Sequence, residues 1–400
     1  MTLANEVSTG RGNSNDHVRR HNLSVVLRLV HQSRALSRAQ LTKLTGLNRS
    51  TIAALVGELV ERRLVIEGEA DSRNQVGRPS PVVRPDPLAV GIAINPEIDA
   101  ITVGIVGLGG ELVARVRHTT DHVPTAREAV DICAAVIEGM RADLDASYRA
   151  VGIGVAVPGL VRSSDGLVRL APHLEWVDEP LAEMLEDATG YPVVAGNDAR
   201  LGTLAESTFG AGRDLTDFLY LNGGASGIGG GIITGGSPLT GAAGYAGELG
   251  HTLVNSAGIP CHCGATGCLE TEVRRAPLLA LTGLTDADSV ELEAALLAAA
   301  SRADGGTAVH AEIERQLGFL AVALRNAINT LNPQVIVLGG FLGSLYAAAP
   351  AYLDALLASQ PLLASREGVR VTRSALGGDL LMIGAAELAF EHVLADPTRF

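Results

Sequence analysis

Aromatic residues make up 3% of this 400-residue chain, with a single tryptophan. So thin a supply excludes the stacked side chains on which single-stranded nucleic acid is held. Cysteine is scarce too: four in all, of which Cys261, Cys263 and Cys268 stand close together and Cys133 stands apart. Three is an odd number for disulfide pairing, and nothing suggests export. The opening stretch, MTLANEVSTGRGNSND, has no apolar signal core, so the expectation is a cytoplasmic protein with reduced thiols. No run of eighteen apolar residues occurs, which argues against a membrane span. Charged residues are 19% and apolar residues 47%, a globular balance whose length suits two or three domains.

What charge there is lies unevenly. The net charge is −13, yet residues 1–87 carry thirteen Arg or Lys against eight Asp or Glu, a balance of +5, leaving −18 for the rest. A basic head on an acidic body points to a polyanion approached by the head alone, and with aromatics so few that polyanion is duplex DNA.

Residues 1–20 are polar and aperiodic and read as a mobile tail. From His21, Leu23, Val26, Leu27 and Val30 recur at helical spacing. Ser37 with Gln40 forms a capping box that opens a second helix. Thr45-Gly46-Leu47 is a tight turn, and Asn48 caps a third helix with Ile52, Leu55, Val56 and Leu59 on its buried stripe. Two short helices joined by a Gly-containing turn make a helix-turn-helix. Strands at 64–66 and 81–84 flanking a polar loop add a wing, so residues 21–87 read as a winged helix-turn-helix. The third helix would enter the major groove by its N-terminal end, where Arg49, Ser50 and Thr51 stand. Arg49 can pair with guanine or with phosphate, whereas Ser50 and Thr51 suit phosphate. In the wing, Arg73 and Arg78 could reach phosphate or a minor groove. The bland alternative is a packing module with solvated arginines. Arg84-Pro85-Asp86-Pro87 reads as a stiff linker and domain boundary.

The body, 88–400, is expected to be α/β. Strands at 89–94, 101–106 and 111–117, a helix over 126–144, and strands at 151–157 and 192–195 are followed by a return of the theme of strand, glycine turn and strand at 218–234. Two lobes of related architecture follow, about 88–198 plus the C-terminal helix, and 199–380.

The most informative stretch is Gly247 to Glu270, GELGHTLVNSAGIPCHCGATGCLE. Cys261, Cys263, Cys268 and His251 supply three thiolates and an imidazole, a tetrahedral set suited to Zn2+. No position is left for a catalytic water, so the metal is read as structural. Gly264 and Gly267 let the chain fold around one ion. Glu248 and Glu270 bracket the cluster and are free to accept hydrogen bonds.

G-E-x-G-H followed by C-x-C-G-x-x-G-C-x-E resembles the signature of the ROK family of bacterial sugar kinases and sugar-responsive repressors. The resemblance extends from about His21 to the C-terminal helix and is strongest at 196–206 and 247–270. It implies a two-lobed actin-like ATPase fold, of the sugar-kinase type, with a cleft between lobes. It also implies a sugar pocket lined by Asn197, Asp198, Glu248, His251 and Glu270, with Asp198 at the position of the base in kinase members. Taken alone, Asn197-Asp198 reads equally well as an Asx turn at a helix N-cap. Ser226–Gly231 resembles the family's second phosphate loop. The first, D-x-G-G-T, is replaced: Ala93 stands for the Asp, Asn95 and Pro96 for the glycines and Glu97 for the Thr. His173 stands where the family often has Asn. The expectation is therefore a non-enzymatic transcriptional regulator, a repressor of carbohydrate metabolism. It would bind operator DNA, respond to a sugar or sugar phosphate, and assemble as a homodimer or a dimer of dimers. A sugar kinase with an accessory head is the rival, and a regulator whose body binds a partner protein is a third reading.

Overall fold

The computed structural model describes residues 15–68, 80–242, 244–285, 287–300 and 306–400. Its first helix, α1 (Asn15–Ser33), starts ahead of the expected His21, so residues 15–20 are helical and not tail. Leu23, Val26, Leu27 and Val30 are fully buried. The two-residue β1 (Leu36–Ser37) leads into α2 (Arg38–Thr45), which opens on the Ser37–Gln40 capping box and closes on Gly46 at φ 72°. That left-handed backbone is strained for any residue with a Cβ. In α3 (Arg49–Glu61) the Asn48 side chain accepts the Thr51 N–H, and Ile52, Leu55, Val56 and Leu59 face inward. β2 (Val65–Gly68) and β3 (Val82–Pro85) pair antiparallel, and β1 adds to the other side of β3. Arg73 and Arg78 lie outside the described residues.

The expected linker is not one. Arg84 and Pro85 belong to β3, and Asp86 is buried, its N–H donating to Leu64 O and its side chain accepting the Leu88 N–H. The strand that opens the body begins at Ala89, and only Pro87 and Leu88 lie exposed between it and the buried Asp86. Pro-x-Pro stiffness suggested a spacer, but α1 has an apolar face too large to leave in water, and the body covers it. The head's buried side chains share one core with Ala89, Ala93, Val106, Phe390, Val393 and Leu394. Polar contacts cross the same junction: Ser24 Oγ donates to Leu394 O at 2.6 Å, Arg34 Nε to Gly109 O at 2.9 Å, and Arg149 to Arg62 O at 2.8 Å. His31 Nδ1 accepts the Gly109 N–H at 3.0 Å, so its proton sits on Nε2, which donates to Glu387 at 3.0 Å; both side chains are buried.

The first lobe is built on β4 (Ala89–Pro96), β5 (Ala100–Gly107), β6 (Glu111–Thr119) and β7 (Arg149–Val157), with α4 (Ala126–Ser147) on one face. After β7 come three short strands, β8 (Leu160–Val161), β9 (Val168–Ala171) and β10 (Trp176–Glu179), which form a separate antiparallel flap. Then follow α5 (Leu181–Thr189), β11 (Val193–Asn197) and α6 (Asp198–Phe209). The second lobe begins with β12 (Phe218–Gly223), β13 (Ile228–Thr234) and β14 (Ser237–Pro238). Its helices are α7 (Leu269–Glu272), α8 (Arg275–Thr282), α9 (Ser289–Ala300) and α10 (Thr307–Leu331). The lobe is completed by β15 (Val335–Gly339), α11 (Gly340–Ala348), α12 (Pro350–Ser359), α13 (Leu363–Arg366) and β16 (Arg370–Arg373). α14 (Leu380–Ala395) then returns to pack on β4, β7 and α6.

The two sheets run β11-β7-β4-β5-β6 and β14-β13-β12-β15-β16. In each, the first strand is third in the sheet, its hairpin partners lie to one side and two parallel strands to the other. The repeat seen in the glycine turns is thus a repeat of topology. Ligand groups in such sheets gather beyond the carboxyl ends of parallel strands, where β7, β11 and β15 all end near the space between the lobes. Among the described residues no single helix is long and apolar enough to cross a membrane.

Candidate functional site

Asn197 ends β11 and Asp198 begins α6. Asn197 is an N-cap, as the bland reading required: its Oδ1 accepts the Arg200 N–H at 2.9 Å while its Nδ2 donates to Gly159 O at 3.0 Å. Capping fixes the pair at the mouth of the helix and turns Asp198 toward the space between lobes. Asp198 Oδ1 accepts the Ala199 N–H at 2.7 Å. Burial pushes its carboxyl up to about 6; the Ala199 N–H works against that, and the charges of Glu248 and Glu97 add to it.

From the other lobe, Glu248 and His251 come on a tight turn laid against β13. Gly250 makes this approach possible, because a Cβ there would stand 1.9 Å from Ile228 O. Gly267 plays the same part in the cysteine loop, at φ 75° and with Asn255 O 1.6 Å from where a Cβ would be. Burial raises the Glu248 carboxyl, with His251 opposing and Glu270 adding. Glu270 is the second residue of α7, two positions after the Cys268 N-cap.

All five expected pocket residues, Asn197, Asp198, Glu248, His251 and Glu270, line one cleft of about 550 Å³. Pro158, Gly159 and the Ser226–Gly229 loop complete much of its wall. Two histidines join them. His173 stands on the turn between β9 and β10, and His262, which the sequence presented as a spacer between cysteines, faces into the cleft. Burial holds the His173 imidazole below its ordinary value, and His262 adds to this.

The ligand atoms of His251, Cys261, Cys263 and Cys268 all lie within 4.8 Å of one another. Cys263 and Cys268 Sγ are 3.7 Å apart, and Cys261 Sγ is 3.6 Å from His251 Nδ1. A tetrahedral ion with Zn–S near 2.3 Å and Zn–N near 2.0–2.1 Å requires about 3.8 Å between sulfurs and about 3.6 Å from sulfur to nitrogen. The cluster could therefore hold a metal with little rearrangement. His251 Nδ1 faces the thiols, which leaves Nε2 for the cleft. Glu270 Oε1 sits 3.2 Å from Cys261 Sγ, 3.4 Å from His251 Nδ1 and 3.3 Å from His262 Nδ1. Cys133 is remote from this loop, in the core of the first lobe, where burial pushes its thiol up to about 12.

A second interlobe cavity, about 500 Å³, is lined by Asn95, Glu97, Arg115, Arg117, Arg373 and the Gly339–Gly340 turn, among others. Ala93 and Asn95 are buried in β4. Glu97 reaches the cavity, its carboxyl raised by burial with Arg117 opposing. Each of the three arginines has a carboxylate partner: Arg115 with Asp379, Arg117 with Asp99 at 2.9 Å, Arg373 with Glu293.

In the head, Arg49 and Ser50 are exposed at the N-terminal end of α3. Ser50 Oγ donates to Asn48. Arg19, Arg38 and Arg62 are paired with Glu58, Glu67 and Glu58.

Two lobes of matching strand order, closing on a cleft of carboxylates, amides and imidazoles, define the actin-like fold of the sugar kinases. The ROK family model matches residues 92–392, and the chain belongs to that family. The xylose repressor of Caldicellulosiruptor bescii is 27% identical over 398 residues, 94% of this chain and 97% of that one. The crystal structure of a ROK family transcriptional regulator, a homologue of the Escherichia coli Mlc protein, superposes with a TM-score of 0.76 at 26% identity, covering 95% of this chain and 98% of that one. A ROK family glucokinase from Streptomyces griseus, solved with glucose and AMPPNP, gives a TM-score of 0.63 at 26% identity, over 75% of this chain and 98% of that one. The regulator matches through the head; the kinase matches a span the length of the body.

Proposed function

We propose that the protein is a sugar-responsive transcriptional repressor of the cytoplasm. Residues 21–87 act as a winged helix-turn-helix that binds duplex operator DNA. The observation that carries this reading is the fusion of a basic three-helix head, with the α3 N-terminus exposed, to a cleft that collects Asn197, Asp198, Glu248, His251 and Glu270 from both lobes. The full-length match to proteins named as repressors and regulators supports it. Arg49 reaches a base edge or phosphate, Ser50 and Thr51 hold phosphate, and Arg73 and Arg78 reach the backbone from the wing.

Zinc on His251, Cys261, Cys263 and Cys268 would be structural, since the donor set fills a tetrahedron. It fixes the loop that carries Glu248 and Glu270, and with it the sugar's hydrogen-bond partners. Sugar hydroxyls are held by the carboxylates and by Asn197. Binding across the cleft favours one arrangement of the lobes. α14 and α6 lie between cleft and head, so operator affinity changes to the extent that the sugar distinguishes the two arrangements. Two copies presenting two heads would read a near-palindromic site.

Phosphoryl transfer is not part of this function. Ala93 brings no ligand for magnesium, Pro96 has no N–H for a phosphate, and Glu97 adds a negative charge where triphosphate oxygens would lie. The arginines of that cavity are already matched by carboxylates.

The test is selection of duplex fragments from a random library by the full-length protein, followed by titration of the selected duplex complex with sugars. Enrichment of a near-palindromic sequence, and a change in its affinity with a sugar, are expected. A library that shows no enrichment overturns the assignment.

A further inference from the structure

The cleft holds three carboxylates, Asp198, Glu248 and Glu270, and no arginine or lysine among its described lining residues. A backbone feature of the cleft suited to an anion is the glycine loop at 226–231, whereas the Ala199 and Arg200 N–H groups at the start of α6 are already taken by Asp198 and Asn197. That loop is backed by negative charge: a Cβ on Gly227 would lie 2.6 Å from Glu270 Oε2. A phosphate seated there would meet this carboxylate with no arginine or lysine of the described lining to offset the repulsion.

In the same cleft the two lobes touch through a pair of rings. His173 comes from the flap of the first lobe and His262 from the cysteine loop of the second. Their centroids are 5.6 Å apart with the planes at 76°, an edge-to-face contact, and both rings line the cleft. His262 is also 5.2 Å from the His251 ring and 3.3 Å from Glu270 through Nδ1. Its ring is thus held by groups of the second lobe and meets the first lobe through His173. An imidazole offers a flat face to the C–H surface of a sugar ring and a nitrogen to its hydroxyls.

We infer that the effector is an uncharged sugar free of phosphate, and that His173 and His262 are the residues that select it, one from each lobe. This rests on the sugar-sensing reading above and narrows it. Because the sugar would sit against a ring from each side, its fit decides whether the rings can keep their contact, which ties recognition to the relation between lobes.

The experiment is calorimetry on the full-length zinc-loaded protein. Neutral aldoses and N-acetylhexosamines, D-xylose, D-glucose and N-acetyl-D-glucosamine among them, are each compared with their phosphate esters. A free sugar is expected to bind, with its ester weaker by about 100-fold, the scale of one or two buried unmatched groups. Glu270→Gln should narrow that gap. His173→Asn and His262→Ala should each shift the ranking among neutral sugars by about ten-fold, with the double variant less than additive. Zinc content by elemental analysis should stay at one per chain in both histidine variants, because neither residue belongs to the three-cysteine, one-histidine set. A phosphate ester that binds more tightly than its parent sugar overturns this inference alone. So does loss of zinc in His262→Ala, or histidine variants that weaken every sugar equally. Binding of neither sugars nor esters overturns the sensing role and this inference with it.

Discussion

Glu270 stands between the metal-ligand cluster and the cleft, within 3.4 Å of a thiol and two imidazoles. Support for the cleft therefore depends on the cluster, and Cys263→Ser should remove the metal and weaken sugar binding together. Elemental analysis beside calorimetry checks this, and a variant that loses metal yet keeps its sugar affinity would separate the two. Asp198 allows a prediction with a sign. Its carboxyl lies at about 6 against an ordinary 3.8, so the folded state holds the proton more tightly and the ionised form is penalised. Native stability contributed at this group is present below the ordinary value and falls as pH rises through about 6. Asp198→Asn should therefore be more stable than the parent at pH 7, by about 1–3 kcal/mol, with the gap closing toward pH 4. Urea unfolding at several pH values measures it. At this scale cysteine spacing pointed to the cluster of His251, Cys261, Cys263 and Cys268, whose ligand atoms lie within 4.8 Å of one another, while the cleft carboxylates were pointed to by the family resemblance and not by spacing. The sequence did not carry His262, which occupies the spacer of C-x-C; no spacing rule says which way a spacer points. Its neighbour His173 showed itself only as a departure from the family's usual residue.

Elements governed by local rules were legible. The Ser37–Gln40 box, the Asn48 cap and Gly46 lie within a few residues of the helix ends they define, and each takes its expected place. The flap strands β8, β9 and β10 and the edge strands β1, β14 and β16 were not legible. They are two to four residues long, too short for alternation to register, and β1 and β16 gain their partners from far along the chain. Helix α3 carries the prediction for DNA. Arg49 is exposed and packs in no core, so Arg49→Ala should leave stability within about 0.5 kcal/mol. Operator affinity should fall by about 1–3 kcal/mol if the guanidinium meets a base. Fluorescence anisotropy over a salt series separates base from phosphate contact: loss of phosphate contact lowers the slope of log K against log salt by about one. An unchanged affinity and slope would remove Arg49 from the interface.

At the scale of the molecule, head and sensor form one folded object. The polar crossing at His31 and Glu387 is buried on both sides. Glu387→Ala would leave the His31 N–H without a partner and open a gap under α1, a loss of about 2–5 kcal/mol. Unfolding followed separately by a probe in the head and a probe in the second lobe should show both move together, to lower denaturant in the variant. A head that melts independently in the parent protein would contradict the shared core. The sequence misled here because Pro-Asp-Pro has the composition of a spacer. Whether a junction is open or covered depends on what packs across it, and the covering residues lie some three hundred positions later.

That distance has a consequence for synthesis. The floor of the head is made by Phe390, Val393 and Leu394, and Arg62 is held by the carbonyl of Thr398. The head leaves the ribosome some three hundred residues before its floor does. Chains fold as they emerge, in order, so throughout translation the head waits with an apolar side uncovered. A message cut short before codon 380 would yield a head without its base, and with it no repressor that had lost its sensor. A product truncated ahead of α14 is expected to leave the operator free, where a head with its own floor would have repressed without relief.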